Sequence, residues 1–178
     1  MTTSTKIRVG VYGASGYAGQ DLIEILSKHP QVEIVFGTSN TYAGDAIPFT
    51  SLTYIPSDNA PLADVDAVFL ALPHQTSAKM AHLALSHGKK VIDLSADLRL
   101  DTPESYQKWY HDPHPHPDLL PTPYGLVEVN REILRGIDRV AVPGCYPTTT
   151  LLGLYPLLTS GALAPHTPII VDAKSGVS

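Results

Sequence analysis

The feature that most constrains this chain is a glycine cluster set between a β-rich run and a helical pattern. Ile7-Arg8-Val9-Gly10-Val11-Tyr12 reads as a strand and leads directly into Gly13-Ala14-Ser15-Gly16-Tyr17-Ala18-Gly19. From Asp21 to Lys28, Leu22, Ile23, Ile25 and Leu26 form one apolar face, the signature of an amphipathic helix. His29-Pro30 stops it, because the residue before a proline disfavours helical angles. Val32 to Phe36 is the next strand, with Gly37 as its exit. Strand, glycine loop, helix and strand within about thirty residues is the size of one βαβ crossover.

The same alternation continues. Ala67 to Leu72 is a continuous apolar run closed by Pro73, as expected of a parallel strand covered on both faces. Ser77 to His87 has helical apolar spacing, and Gly88 stands at its C-cap. Val91–Leu94, Val140–Val142 and Ile169–Asp172 read as further strands. Helices are expected around Glu104–Tyr110 and over Thr148–Leu158, the latter interrupted or shortened at Pro156. Thr38 to Asp64, with Gly44, Pro48, Pro56 and Pro61, reads as a loop-rich excursion. The pattern predicts an α/β fold: a Rossmann-like, doubly wound, mostly parallel sheet with helices on both faces.

Composition removes several classes. Of 178 residues, 43% are apolar and 16% charged, enough to bury a core and unlike a disordered chain. Twelve Lys and Arg against seventeen Asp and Glu leave a net charge of −5, with no basic stripe for nucleic acid. Apolar runs such as Ala67–Pro73 fall far short of the ~20 residues of a membrane span. Met1–Lys6 is polar, without a signal-peptide core. One cysteine excludes an internal disulfide framework and fits a reducing cytosol. A cytoplasmic location is expected, without nucleic-acid or membrane partners. Of 16 prolines, six lie between Thr102 and Pro123: Pro103, Pro113, Pro115, Pro117, Pro121 and Pro123. They read as an ordered surface excursion.

In the glycine loop, positive φ is accessible and a pyrophosphate can approach the backbone, where free N–H groups and the helix dipole favour an anion. The spacing is Gly-x-x-Gly-x-x-Gly, not the Gly-x-Gly-x-x-Gly of the standard fingerprint. The competing reading is a tight turn with close helix–strand packing. The second strand exits through Gly37-Thr38-Ser39-Asn40-Thr41 with no acid there to bind a ribose 2′-hydroxyl, Glu33 and Asp45 being out of place. Small hydroxyl and amide donors suit a 2′-phosphate and favour NADP over NAD, although the arginine that commonly pairs with that phosphate is missing.

Cys145 lies in Val142-Pro143-Gly144-Cys145-Tyr146-Pro147-Thr148, between a strand and a helix start. Cysteine attacks as its thiolate, which the positive end of a helix dipole stabilises. The competing reading is an inert buried thiol. Of the eight histidines, His29 and His87 fall at helix ends and His111, His114 and His116 lie among prolines. No Cys or carboxylate spacing completes a tetrahedral set with them, so no metal site is expected. His74 follows the third strand, at the sheet edge where ligands bind, and is read as a cofactor contact.

Taken in order, several segments resemble one family, the N-acetyl-γ-glutamyl-phosphate reductases of arginine biosynthesis. They are Gly13 to Gly19; Leu72-Pro73-His74; Val91-Ile92-Asp93-Leu94-Ser95-Ala96-Asp97-Leu98-Arg99; Tyr124-Gly125-Leu126 with Glu128; Pro143 to Thr148; and Val171 to Ser178. The resemblance implies an NADP-dependent reductive dephosphorylation to N-acetylglutamate 5-semialdehyde, with Cys145 as the nucleophile that carries a thioester. It implies that Gly13, Ser15, Gly16, Tyr17 and Ala18 hold the pyrophosphate and that Thr38 and Ser39 fall at the ribose. Pro73, His74 and Ser95 lie at the nicotinamide side, and Ser175 and Gly176 form a turn leading into the cleft. Arg99 has a substrate or a structural role.

The resemblance further implies two units. Residues 1–165 form an NADP-binding domain carrying the cysteine, and 166–178 begin a substrate and dimerisation domain. That second domain holds the general acid/base histidine, so the full-length enzyme is expected to be a homo-oligomer and this portion alone inactive. Two other readings stay open at this level: a non-catalytic dinucleotide-binding module, and a reductase of another acyl phosphate such as aspartyl or aminoadipyl phosphate.

Overall fold

The computed structural model describes residues 5–164, 166–174 and 176. Five strands form one sheet: β1 (Ile7–Tyr12), β2 (Val32–Gly37), β3 (Ala67–Leu70), β4 (Lys90–Asp93) and β5 (Arg139–Ala141). Their order is β2-β1-β3-β4-β5, and every pairing is parallel. The helices are α1 (Tyr17–Ser27), α2 (Thr76–Ser86), α3 (Pro103–Tyr110), the single turn α4 (Val127–Asn130) and α5 (Cys145–Thr159). The Rossmann-like doubly wound sheet expected from the sequence is present.

Two apolar layers explain the winding. The β1→β2 and β3→β4 connections cross the sheet in opposite directions, so right-handed crossovers place α1 and α2 on opposite faces. Alternate strand residues then serve the two layers. Val9, Val11 and Ala67 pack with Ile23 and Leu26 of α1. Tyr12, Val68, Leu70 and Val91 pack with Ala81 and Ala84 of α2. Residues 38–64 form an irregular excursion carrying two 3₁₀ turns, Ser57–Asn59 and Leu62–Asp64.

Three expectations are corrected. α1 begins at Tyr17, not Asp21, with extended Gly16 as its N-cap (φ −73°, ψ 165°). Its first turn, where only Gly19 is buried, carries no apolar face for periodicity to reveal. α5 begins at Cys145, not Thr148, and runs through Pro156 to Thr159. Pro147 sits in the first turn, where a backbone N–H has no intrahelical acceptor to lose, and Thr148 N–H closes the first turn onto the Gly144 carbonyl at 3.0 Å. Ile169–Asp172 is not a strand: the segment pairs with no sheet edge, and Ile170 is 91% exposed.

Candidate active site

With all strands parallel, their carboxyl ends share one edge, and the strand order reverses between β1 and β3. This is where ligands bind in open α/β sheets. The glycine loop crosses that point. Gly13 has φ +73°, and a Cβ there would lie 2.2 Å from the Ala71 carbonyl oxygen, so only glycine lets the loop pass the exit of β3. A Cβ at Gly19 would meet the Gly13 carbonyl oxygen at 2.3 Å, whereas at Gly16 it meets nothing closer than 3.6 Å. The loop is therefore tight on its inner side and open at Gly16. Tyr17, 78% exposed, and Ala18 begin α1 on that open side. Their N–H groups belong to the helical turn that has no intrahelical acceptors.

Thr38 and Ser39 form the floor of this loop. The Gly13 N–H donates to Thr38 Oγ1 at 3.2 Å and the Ala14 N–H to the Thr38 carbonyl at 2.9 Å. Thr38 is fully buried and also accepts from Ser57 Oγ. Its side chain braces the loop from below. Ser39 Oγ accepts from Ser15 Oγ at 2.8 Å and from the Tyr42 N–H at 3.1 Å. Beside this pair opens a groove of about 230 Å³ lined by Ser15, Gln20, Tyr42 and Asp45 among others. Gln20 and Tyr42 went unnoticed in the sequence, and Asp45, read there as out of place, is carried to the groove by the fold of the 38–55 loop.

Across β3, Pro73 is exposed and the His74 side chain is 55% exposed. The His74 ring lies 4.8 Å from Tyr110 between centroids, and its Nδ1 is 3.5 Å from Asp97 Oδ1. The next residue, Gln75, caps α2 at φ +63°, a left-handed backbone that non-glycine residues seldom adopt. Below His74 lies a polar layer in which Ser77, Asp93, Asp97 and Tyr106 are fully buried. Asp97 accepts from the Ala78 N–H at 2.9 Å and from the Tyr106 hydroxyl at 2.8 Å. Asp93 accepts from Ser77 Oγ at 2.5 Å, Ser95 N–H at 3.1 Å and Ser95 Oγ at 2.9 Å. Ser95 Oγ in turn accepts from the Asp97 N–H at 3.0 Å.

Burial pushes the Asp93 carboxyl above its usual range, with the Ser77 and Ser95 hydrogen bonds pulling the other way. Burial, and then the bond to Asp97, push the Tyr106 phenol up. The sequence shows Asp97 only inside a motif and Tyr110 only as the end of a helix; no local spacing links either to His74.

Cys145 is the first residue of α5, exposed, behind the extended N-cap Gly144. The thiol is thus not buried. With Tyr146, Thr149, Asp172, Ala173 and Lys174 it lines a groove of about 300 Å³, where Lys174 pairs with Asp172. Gly176 is exposed further along this segment; Ser175 lies outside the described residues. Arg99 donates to the carbonyls of Val142 and Leu94 at 2.8 Å each, a structural tie between the exits of β5 and β4.

A model of the semialdehyde dehydrogenase NAD-binding domain matches residues 8–137. The chain belongs to the semialdehyde dehydrogenase family. A model of the family's dimerisation domain matches residues 145–178. N-acetyl-γ-glutamyl-phosphate reductases from Desulforudis audaxviator and Azotobacter vinelandii are 47% and 46% identical to it over 97% of the chain. The chain covers 52% and 53% of them, about half the length of these curated relatives. Among solved structures, aspartate semialdehyde dehydrogenase II of Vibrio cholerae matches with a TM-score of 0.69 at 21% identity, covering 88% of this chain and 47% of that one. The Candida albicans enzyme with NADP matches at 0.59 and 19%, covering 86% and 47%. These structures share the fold. Among the described residues no helix is long and apolar enough to cross a membrane.

Proposed function

We propose that this chain is the cofactor-binding and nucleophile-bearing part of a cytoplasmic, NADP-dependent N-acetyl-γ-glutamyl-phosphate reductase that works as a homo-oligomer. The observation that carries the proposal is that the glycine loop, Ser39, His74, Ser95 and Cys145 all stand on the carboxyl edge of one parallel sheet. Relatives at 46–47% identity bear that name. Residues 1–165 are read as the dinucleotide unit and 166–178 as the opening of a second. A dimerisation-domain model matches residues 145–178, a span that begins at Cys145.

The residues fit a dinucleotide. The open side at Gly16, the exposed first turn of α1 and the Ser15–Ser39 hydroxyl pair offer donors to phosphate. The adjoining groove admits a ribose 2′-phosphate, and Pro73, His74 and Ser95 border the nicotinamide end. Cys145 Sγ attacks the acyl carbon as its thiolate, the tetrahedral adduct collapses with cleavage of the carbon–oxygen bond to phosphate, and inorganic phosphate departs to leave a thioester on Cys145. A nicotinamide held beside Pro73, His74 and Ser95 would supply the hydride for reduction of that thioester. Collapse of the thiohemiacetal then returns the thiol and frees the semialdehyde.

This reading is tested in the full-length enzyme by NADPH oxidation with N-acetyl-γ-glutamyl phosphate. Cys145→Ala is expected to abolish turnover while NADPH affinity stays within about twofold, because the side chain is exposed and holds nothing else in place. Unchanged turnover overturns the assignment. The 178-residue chain by itself is expected to bind NADPH with turnover reduced by ~10²–10⁴-fold or more for want of a general acid/base.

A further inference from the structure

Helix α2 and the proline-rich excursion meet at three side chains with no part in the proposed reaction. His82 projects from α2, His116 precedes the 3₁₀ turn Pro117–Leu119, and Asp118 lies within it. The two imidazoles stack, with centroids 4.0 Å apart and planes 14° from parallel. Asp118 faces both, its Oδ2 3.3 Å from His82 Nδ1 and its Oδ1 3.8 Å from His116 Nδ1. One ligand atom from each residue falls in a set within 4.8 Å of one another.

The backbones beneath this trio are anchored. Ala78, Ala81 and Ala84 bury the inner face of α2. The His116 N–H donates to His114 Nδ1, and His114, itself buried, reaches the Asp97 carbonyl through Nε2 at 2.9 Å. Leu119, one residue past Asp118, is 4% exposed and belongs to the same apolar cluster as Ala81. The ligands thus spring from fixed backbone while their tips reach solvent, the side chains of His82, His116 and Asp118 being 46%, 28% and 61% exposed. Lys79, one turn earlier on α2, and His114 also act electrostatically on His116.

We propose that His82, His116 and Asp118 form a binding site for a divalent transition metal of the Zn²⁺ type. Two imidazoles and a carboxylate are a borderline nitrogen–oxygen donor set, and with one water they complete a tetrahedron. In such a tetrahedron, bonds of about 2.0–2.1 Å separate ligand atoms by about 3.3 Å. From a spread within 4.8 Å, turning the exposed His82 ring and the half-buried His116 ring out of their stack and drawing the carboxylate inward reaches that spacing. The ion fastens the excursion to α2. These are the segments whose Tyr106, Ala78 and His114 bond to Asp97, the carboxylate beside His74.

The test uses the whole chain carrying Cys145→Ser, which removes the competing thiolate, after treatment with a chelator. Titration with ZnCl₂ near neutral pH is expected to show one saturable site per chain at about micromolar Kd or tighter. Affinity is expected to fall at least about tenfold in His82→Ala and in Asp118→Asn, with a His29→Gln control unchanged. Both replaced side chains are largely exposed, and circular dichroism checks that the variants keep the parent fold. Zn²⁺ is expected to raise the thermal midpoint of the parent but not of His82→Ala. Absence of saturable binding below about 1 mM, or equal affinity in parent, His82→Ala and Asp118→Asn, overturns the site.

Discussion

Arg99 donates from Nε to the carbonyl oxygen of Val142 at 2.8 Å. Its Nη2 reaches the Leu94 carbonyl at the same distance, and its Nη1 lies where a Cβ on Gly144 would come within 3.1 Å. One guanidinium therefore ties the exits of β4 and β5 and sets the approach of the Gly144–Cys145 turn. Arg99→Lys keeps the charge but loses the fork. We expect it to cost about 1.5–3 kcal/mol in urea unfolding, the usual worth of one hydrogen bond to a charged group. Full-length turnover should fall about tenfold or more, with NADPH affinity unaffected. Wild-type stability in the lysine variant would remove the structural role.

The glycine loop separates folding from binding. At Gly19 an added methyl has backbone atoms at 2.3, 2.8 and 2.9 Å, none belonging to a flexible side chain. Gly19→Ala is expected to destabilise the fold by about 3 kcal/mol. Gly16→Ala, whose methyl meets nothing nearer than 3.6 Å, should unfold within about 1 kcal/mol of wild type yet bind NADPH ten times more weakly or worse, since the methyl occupies the phosphate approach. Paired denaturation and fluorescence titrations read both quantities.

Asp93 gives a pH dependence of known sign. Burial raises its pKa in the folded chain above the ordinary 3.8, so the folded state takes up this proton at higher pH than the unfolded chain does. The cost of burying the charge is fully present above the folded pKa and diminishes as pH falls through it, until the unfolded chain too is protonated below 3.8. Wild type is therefore expected to gain stability relative to Asp93→Asn as pH falls from neutrality toward 4. A carboxyl titration by NMR with its midpoint at or below 3.8 would contradict this.

Asp45 bears on cofactor choice. Its carboxylate lines the groove with Ser15 and Gln20, where a 2′-phosphate would meet a like charge. Asp45→Asn is expected to tighten NADPH binding by about two- to tenfold, the range for a solvent-screened charge pair, and to leave NADH binding nearly unchanged. Equal gains for both cofactors would place the 2′-phosphate elsewhere.

The sequence by itself determined the order and kind of the main elements, because a strand or helix writes its period locally. The run from Ile7 to Phe36 states a βαβ unit, and Pro147 with Gly144 marks a helix start beside Cys145. Periodicity reports only which side of an element is covered, so the unburied first turns of α1 and α5 escaped it, and Ile169–Asp172 showed strand composition without a neighbour to pair with. Tertiary structure decided who meets whom. It turned Thr38 under the glycine loop, brought Asp97 and Tyr110 to His74, and set His82 against His116 and Asp118. Those meetings follow from strand order and from the handedness of the crossovers, which act on the chain as a whole and leave no mark on the spacing of the residues they bring together.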